Sequence, residues 1–160
     1  MSNLSAEVQK ALLLKSGPHV IVTVGNTLRS DDGVGPYIGS HLHSARDILI
    51  INAEQNPEGC IDEAVQFKPK RVLIIDAADF KGVPGEARLI DRESIPETTV
   101  STHTIPLSVI TSIIASDANA EVLFLGIQMK NAGMGEGLSR EVKTTADLII
   151  DAIQKELRDA

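Results

Sequence analysis

His19-Val20-Ile21-Val22-Thr23-Val24-Gly25-Asn26-Thr27-Leu28-Arg29-Ser30-Asp31-Asp32-Gly33-Val34-Gly35 decides the fold class. Its first part is short, β-branched and almost wholly apolar, and it stops at a glycine, as a strand buried on both faces does. A polar turn follows. Beyond Asp-Asp-Gly the apolar residues Val34, Ile38, Leu42 and Ala45 recur at helical spacing. A strand that hands over to a helix through a turn is the opening of a βαβ unit.

The same alternation continues along the chain. Residues 47–52 read as a second buried strand and residues 71–76 (Arg-Val-Leu-Ile-Ile-Asp) as a third. Between them, 57–67 reads as a helix, with Pro57 in its first turn and Ile61, Ala64 and Val65 on one face. Residues 85–90 alternate and suit an edge strand; 106–116 carry Leu107, Ile110, Ile113 and Ile114 at helical spacing; 121–127 form a further buried strand. Val142, Ala146, Ile149, Ile153 and Leu157 mark a long amphipathic helix at the end. The expectation is a single-domain α/β three-layer sandwich spanning 1–160. It has a largely parallel, twisted sheet of about five strands with helices on both faces. Residues 1–17 form a helical N-terminal extension, with its helix at 6–14. The 79–104 stretch is irregular and reads as an elaborated loop region.

Composition narrows the function. The chain has 160 residues, 42% of them hydrophobic, enough for a sizeable core. Fifteen Lys and Arg against 22 Asp and Glu give a net charge of −7, which counts against nucleic-acid binding as the main task. Tyr37, Phe67, Phe80 and Phe124 are the only aromatic residues, too few for a base-stacking surface. Cys60, the sole cysteine, excludes an internal disulfide framework and a cysteine-rich metal site. It falls in the 57–67 helix and reads as a buried structural thiol. No apolar run approaches the ~20 residues of a membrane span. The N-terminus lacks the pattern of a signal peptide, so a cytoplasmic location is expected.

In open α/β sheets, sites form beyond the carboxyl ends of the strands. Asp31 and Asp32 follow the first strand. Asp before Gly is a common turn and helix N-cap, yet one of the pair could instead point into the crevice as a ligand or acid/base group. Asp76 closes a strongly apolar strand, where a charge is costly unless a Lys, an Arg or a loop amide meets it; a functional role is the better account. His103 stands in a Ser/Thr-rich loop, either as a hydrogen-bonded structural residue or as a ligand. His41 and His43 sit two apart on the predicted helix and read as surface residues, and His19 precedes a strand. Together Asp32, Asp76 and His103 supply two carboxylates and an imidazole, a donor set suited to a divalent first-row metal. Other constellations are weaker. Gly33, Gly35 and Gly39 are spaced one residue out from the dinucleotide fingerprint; a phosphate loop and a nucleophile-elbow serine are lacking.

Gly25 to Pro36 resembles the signature of the [NiFe]-hydrogenase maturation endopeptidases, an apolar strand followed by G-N, a short spacer and D-D/E-G-x-G. Val72 to Ala77 resembles that family's strand ending in Asp-Ala. Ser101-Thr102-His103 is similar to its Thr/Ser-x-His segment, and Leu125-Gly126-Ile127-Gln128 to its late strand. The resemblance implies that Asp32, Asp76 and His103 bind metal and carry catalysis. Asn26, Gly33 and Gly35 would shape the loop around them. It implies an endopeptidase that removes the C-terminal extension of the hydrogenase large-subunit precursor after nickel insertion. The nickel belongs to the substrate and serves recognition. No permanent cofactor is expected, although other divalent metals could occupy the site. Two features depart from the pattern: the long N-terminal extension, and the glycine-rich 129–137 segment where many relatives carry proline and aromatic residues. A non-enzymatic, Rossmann-like metal-binding or chaperone module using the same three residues is the alternative.

Overall fold

The computed structural model describes residues 3–95 and 105–160. Strands β1 (His19–Val24), β2 (Ile48–Glu54), β3 (Arg71–Ala78), β4 (Ala87–Ile90) and β5 (Glu121–Gln128) form one sheet in the order β2-β1-β3-β5-β4. The first three and β5 are parallel; β4 lies antiparallel on the edge against β5. Every residue of β1 is buried, as its uninterrupted apolar run requires.

Side chains alternate across the sheet and build two cores. Val20, Val22, Val72, Ile74 and Phe124 pack with Cys60, with α3 (Ile61–Gln66) through Ala64, and with α4 (Leu107–Ala118) through Ile110 and Ile114. Ile21, Leu73, Ile75, Leu125 and Ile127 pack on the other face with α1 (Ala6–Ala11), α2 (Val34–Ser40) and α5 (Arg140–Arg158). That is the expected three-layer α/β sandwich. The long helix α5 contributes Val142, Ala146, Ile149 and Ile153, all fully buried. Each large aliphatic side chain so placed is worth about 1.5–3 kcal/mol. Tyr37 Oη donates to Asp147 Oδ1 at 2.7 Å, so α2 is also tied to α5 by a polar contact; Lys143 Nζ, 3.1 Å from Asp147 Oδ2, pairs with the same carboxylate from within α5.

Several boundaries differ from the sequence reading. The helix expected at 57–67 is a 3-10 turn, Pro57–Cys60, followed by α3. The helix expected to run through Leu42 and Ala45 stops at Ser40. Gly35, Pro36, Gly39 and Ser40 give it poor intrinsic propensity, and His41 Nδ1, 2.7 Å from Tyr37 O, closes its end. Leu42 still enters the core, while Ala45 and Ile48 exchange backbone hydrogen bonds of 2.9 and 3.3 Å. His41 and His43 therefore lie beyond the helix, both exposed. The N-terminal helix ends at Ala11, not Leu14. Arg71 donates to the carbonyls of Ala11 and Leu13, and Glu156 accepts from the Leu14 amide, so tertiary partners replace the last helical turn. Strands β2 and β3 each run two residues past the expected ends at Asn52 and Asp76, to Glu54 and Ala78.

His19 begins β1 as a buried residue, its Nε2 3.0 Å from Lys15 O, and burial lowers its pKa. Cys60 is buried, and desolvation pushes its thiol up to about 11. At pH 8 the native protein should react with a thiol reagent only at the rate of unfolding, whereas denatured protein reacts at once. Rapid labelling of folded protein would contradict the packing of α3 on β3. In the irregular stretch, 79–95 hold a loop, β4 and a 3-10 turn at Arg92–Ser94. His103 and the remaining residues at 96–104 lie outside the described residues.

Candidate active site

β1 lies between β2 and β3, so the chain leaves β1 to one side of the sheet and later returns to the other. Such a switch point opens a crevice at the carboxyl ends of the strands. Asp32 follows β1. Asp76 lies in β3 one step beyond Ile75, which pairs with Thr23 of β1. The strand order thus brings two aspartates, distant in sequence, to one end of two adjacent strands.

The turn between them is built from Gly25 onward. Gly25 has φ +150°, and a Cβ there would stand 2.1 Å from the Asp32 carbonyl oxygen. Only glycine permits this approach. Asn26 N donates to that same carbonyl at 3.0 Å, and Asn26 Oδ1 accepts from the Leu28 amide at 2.9 Å, an Asx turn. Gly35 lets α2 settle on β1, since a Cβ at that position would come within 2.0 Å of Val24 O. The glycines that faintly resemble a dinucleotide fingerprint thus include one used for helix–strand packing. Ser30 has φ +50°, an unfavourable conformation for a residue with a side chain. Its amide donates to Gly135 O at 2.7 Å and its hydroxyl to Gly133 O at 2.9 Å.

Asp32 is 1% exposed and Asp76 0%. Neither carboxylate oxygen of Asp76 has a hydrogen-bond partner among the described residues. Its pKa is raised well above the ordinary carboxylate range, first by desolvation and then by the charge of Asp32; the dipole of the adjacent Ala77 amide, outside hydrogen-bonding geometry, acts in the opposite sense. A buried, unpartnered carboxylate beside a second one either holds a proton or invites a cation. Those orphaned oxygens fit a divalent metal, for which carboxylate is a suitable ligand. Among the described residues no group of three His, Cys, Asp or Glu side chains comes together around a metal position. The structure therefore unites two of the three expected site residues, while His103 lies outside the described ones.

A cleft of about 570 Å³ opens beside the turn, lined by Thr27, Ser30, Pro36, Tyr37, Asn52 and Glu54 among others. A second, of about 900 Å³, lies across the 129–139 segment and includes Lys130, Asn131 and Glu141. The first borders the turn that carries Asp32, through Ser30 and Gly33, and the second borders Lys130, Asn131 and Ser139; Asp32 and Asp76 are buried and line neither.

A profile of the family described as HycI, hydrogenase maturation protease, matches residues 36–156. This chain belongs to the hydrogenase maturation protease family. It is 31% identical to the Hydrogenase 3 maturation protease of Escherichia coli K12, across 84% of this chain and 88% of that protein. Its fold superposes on the [NiFe] hydrogenase maturation protease HycI of Thermococcus kodakarensis with a TM-score of 0.82 and 28% identity, covering 94% and 99% of the two chains. The endopeptidase HycI of Escherichia coli gives a TM-score of 0.75 at 30% identity, over 86% and 90%. A hydrogenase maturation protease is a hydrolase, and membership in the family disfavours the non-enzymatic alternative.

Two residues of this protease do more than the sequence suggested. Neither Asp31 nor Asp32 provides a side-chain cap for the 3-10 turn Ser30–Gly33 or for α2, so the N-cap reading does not hold. Asp31 instead binds a segment about a hundred residues away, and no local pattern announces that. Gln128, at the end of β5, organises the loop after β3. Its Oε1 accepts from the Phe80 and Gly82 amides, and its Nε2 donates to Asp79 and to Met129 O. An amide at the end of an apolar strand was the only visible sign of that role.

Proposed function

We propose that this protease removes the C-terminal extension of a [NiFe]-hydrogenase large-subunit precursor once nickel has been inserted, and that Asp32, Asp76 and His103 read the nickel carried by that substrate. The reading rests most on Asp76, fully buried beside Asp32 with neither oxygen hydrogen-bonded among the described residues. In the free enzyme this pair is poised against itself. A precursor that delivers a positive charge relieves both the desolvation and the repulsion, so only a loaded precursor is held well. Hydrolysis consumes one water, whose oxygen joins the acyl carbon while the leaving nitrogen gains a proton. A carboxylate engaged with a cation is a poor base, so holding nickel and moving that proton fall to different groups or different stages.

Family membership supports the same substrate class, and no helix among the described residues is long and apolar enough to cross a membrane. We place the enzyme in the cytoplasm. Incubation with a co-resident precursor, followed by intact-mass measurement, tests the proposal. Loss of a C-terminal peptide is expected from nickel-loaded precursor only. Cleavage that ignores nickel would remove the sensing role of the pair; no cleavage of any candidate precursor would remove the substrate. The protease alone should bind Ni²⁺ weakly in a calorimetric titration, because the coordination of the metal is completed only by groups that the precursor brings with it. Tight, stoichiometric binding by the isolated chain would favour a resident metal instead.

A further inference from the structure

We infer that Asp31 is a positioning residue for processing: its carboxylate clamps the 129–139 segment onto the Ser30–Gly33 turn and so holds Asp32 against Asp76. This rests on the function proposed above, since it assigns Asp31 a part in the same reaction.

Asp31 is completely buried. Its Oδ2 accepts from the amides of Lys130 and Asn131 at 2.9 Å each and from Ser139 Oγ at 2.9 Å, and its Oδ1 accepts from the Ser139 amide at 2.7 Å. Four donors converge on one side chain, which fills the capacity of an ionised carboxylate. Among the described residues no ion pair includes Asp31. The clamp is therefore made of oriented dipoles supplied by two firm elements, the exit of β5 and the entry of α5. Backbone contacts follow its line: Asp31 N to Asn131 O at 2.9 Å, Ser30 N to Gly135 O at 2.7 Å, and Gly135 N to Leu28 O at 2.9 Å.

Asp32 is the next residue. From the other side it is fixed by Asn26 N to Asp32 O and by Asp32 N to Arg29 O, both 3.0 Å. The turn carrying Asp32 is thus gripped at two points, and Ser30, in its left-handed conformation, stays there only while the grip holds. A carboxylate spent on stability alone could sit anywhere in the loop. Here it sits one residue from a buried aspartate whose neighbour in β3, Asp76, has no hydrogen-bond partner among the described residues. Asp31→Asn keeps the size but turns an amide NH₂ toward N–H donors, so at least one oxygen seat becomes repulsive. Ser139→Ala is milder, removing one of the four bonds and keeping the Ser139 amide's.

Both variants are compared with wild type in steady-state cleavage of nickel-loaded precursor, with circular dichroism and amide hydrogen exchange on the same samples. Misplacing a reacting group by about 1 Å costs about 10²-fold. Asp31→Asn is expected to lose kcat/KM on about that scale, with faster exchange in 26–36 and 129–139, and protection retained in β3. Ser139→Ala should show the same pattern, weaker. The inference is overturned if Asp31→Asn keeps wild-type kcat/KM, or if kcat/KM falls only in proportion to the folded fraction. Should Asp31→Asn fail to fold, Ser139→Ala decides: a reduced kcat/KM in folded protein supports the clamp, and a wild-type kcat/KM removes it. If wild type cleaves no precursor, the proposed function falls by itself. Exchange then still judges the clamp, which unchanged protection at 26–36 in Ser139→Ala would overturn.

Discussion

Asp76→Asn should abolish cleavage of the nickel-loaded precursor while leaving the fold at least as stable as wild type. Asparagine has nearly the same shape, so the β3 backbone and its register with β1 and β5 are kept. What disappears is the second negative charge of the pair, and with it the ability to attract a cation into a desolvated site. Loss of a group acting in the chemical step typically costs several orders of magnitude, so cleavage should fall below detection in an intact-mass assay. Normal processing by Asp76→Asn would remove the central residue of the proposed site.

The stability half of that prediction follows from proton linkage. The pKa of Asp76 in the folded protein is raised, mainly by desolvation and then by Asp32. Between the ordinary carboxylate value of 3.8 and the raised one, the native state binds more protons than the unfolded chain. Stability contributed by this group is therefore fully present below the ordinary value and is lost progressively as pH rises across that window. Asp76→Asn does not titrate and lacks this slope. Urea unfolding of both proteins between pH 4 and 8 should show the variant gaining on wild type as pH increases. A gap that shrinks with pH would mean that Asp76 is paired and favourably charged in the native state.

Parts of the fold were legible because the physics is local. A parallel strand buried on both faces must be a continuous apolar run, and 19–24 and 71–76 are such runs; their cores are where the sequence places them. Helix ends were less legible, because they depend on partners far along the chain. Arg71 and Glu156 replace the last turn of α1, and nothing in residues 6–14 reveals them. The meeting of Asp32 with Asp76 required the strand order β2-β1-β3, which depends on how the helices cross the sheet and not on any spacing. Asp31 was the least legible. As part of an Asp-Asp-Gly turn it looks like a cap, and its real partners are Lys130, Asn131 and Ser139.

Gly25→Ala is expected to damage both fold and activity, and the two losses should be separable. The added Cβ would meet the Asp32 carbonyl oxygen at 2.1 Å, a backbone atom that cannot swing aside, at a residue with φ +150°. Overpacking of this kind costs about 1–3 kcal/mol, and a side chain at such a φ costs of the same order again, so about 2–6 kcal/mol is expected in total. For a chain of this length that lowers the melting temperature by roughly 10 °C or more. The strain is relieved most cheaply by lifting the Asp32 carbonyl, which breaks its hydrogen bond from Asn26 and moves the carboxylate away from Asp76. Cleavage by the variant should therefore stay low even at a temperature where circular dichroism shows it fully folded. A Gly25→Ala protein with wild-type melting would contradict the close approach of Asp32 to the end of β1. One that melts early yet cleaves normally when cold would show that the placement of Asp32 tolerates movement of its own backbone, and the functional weight would shift to Asp76 and His103.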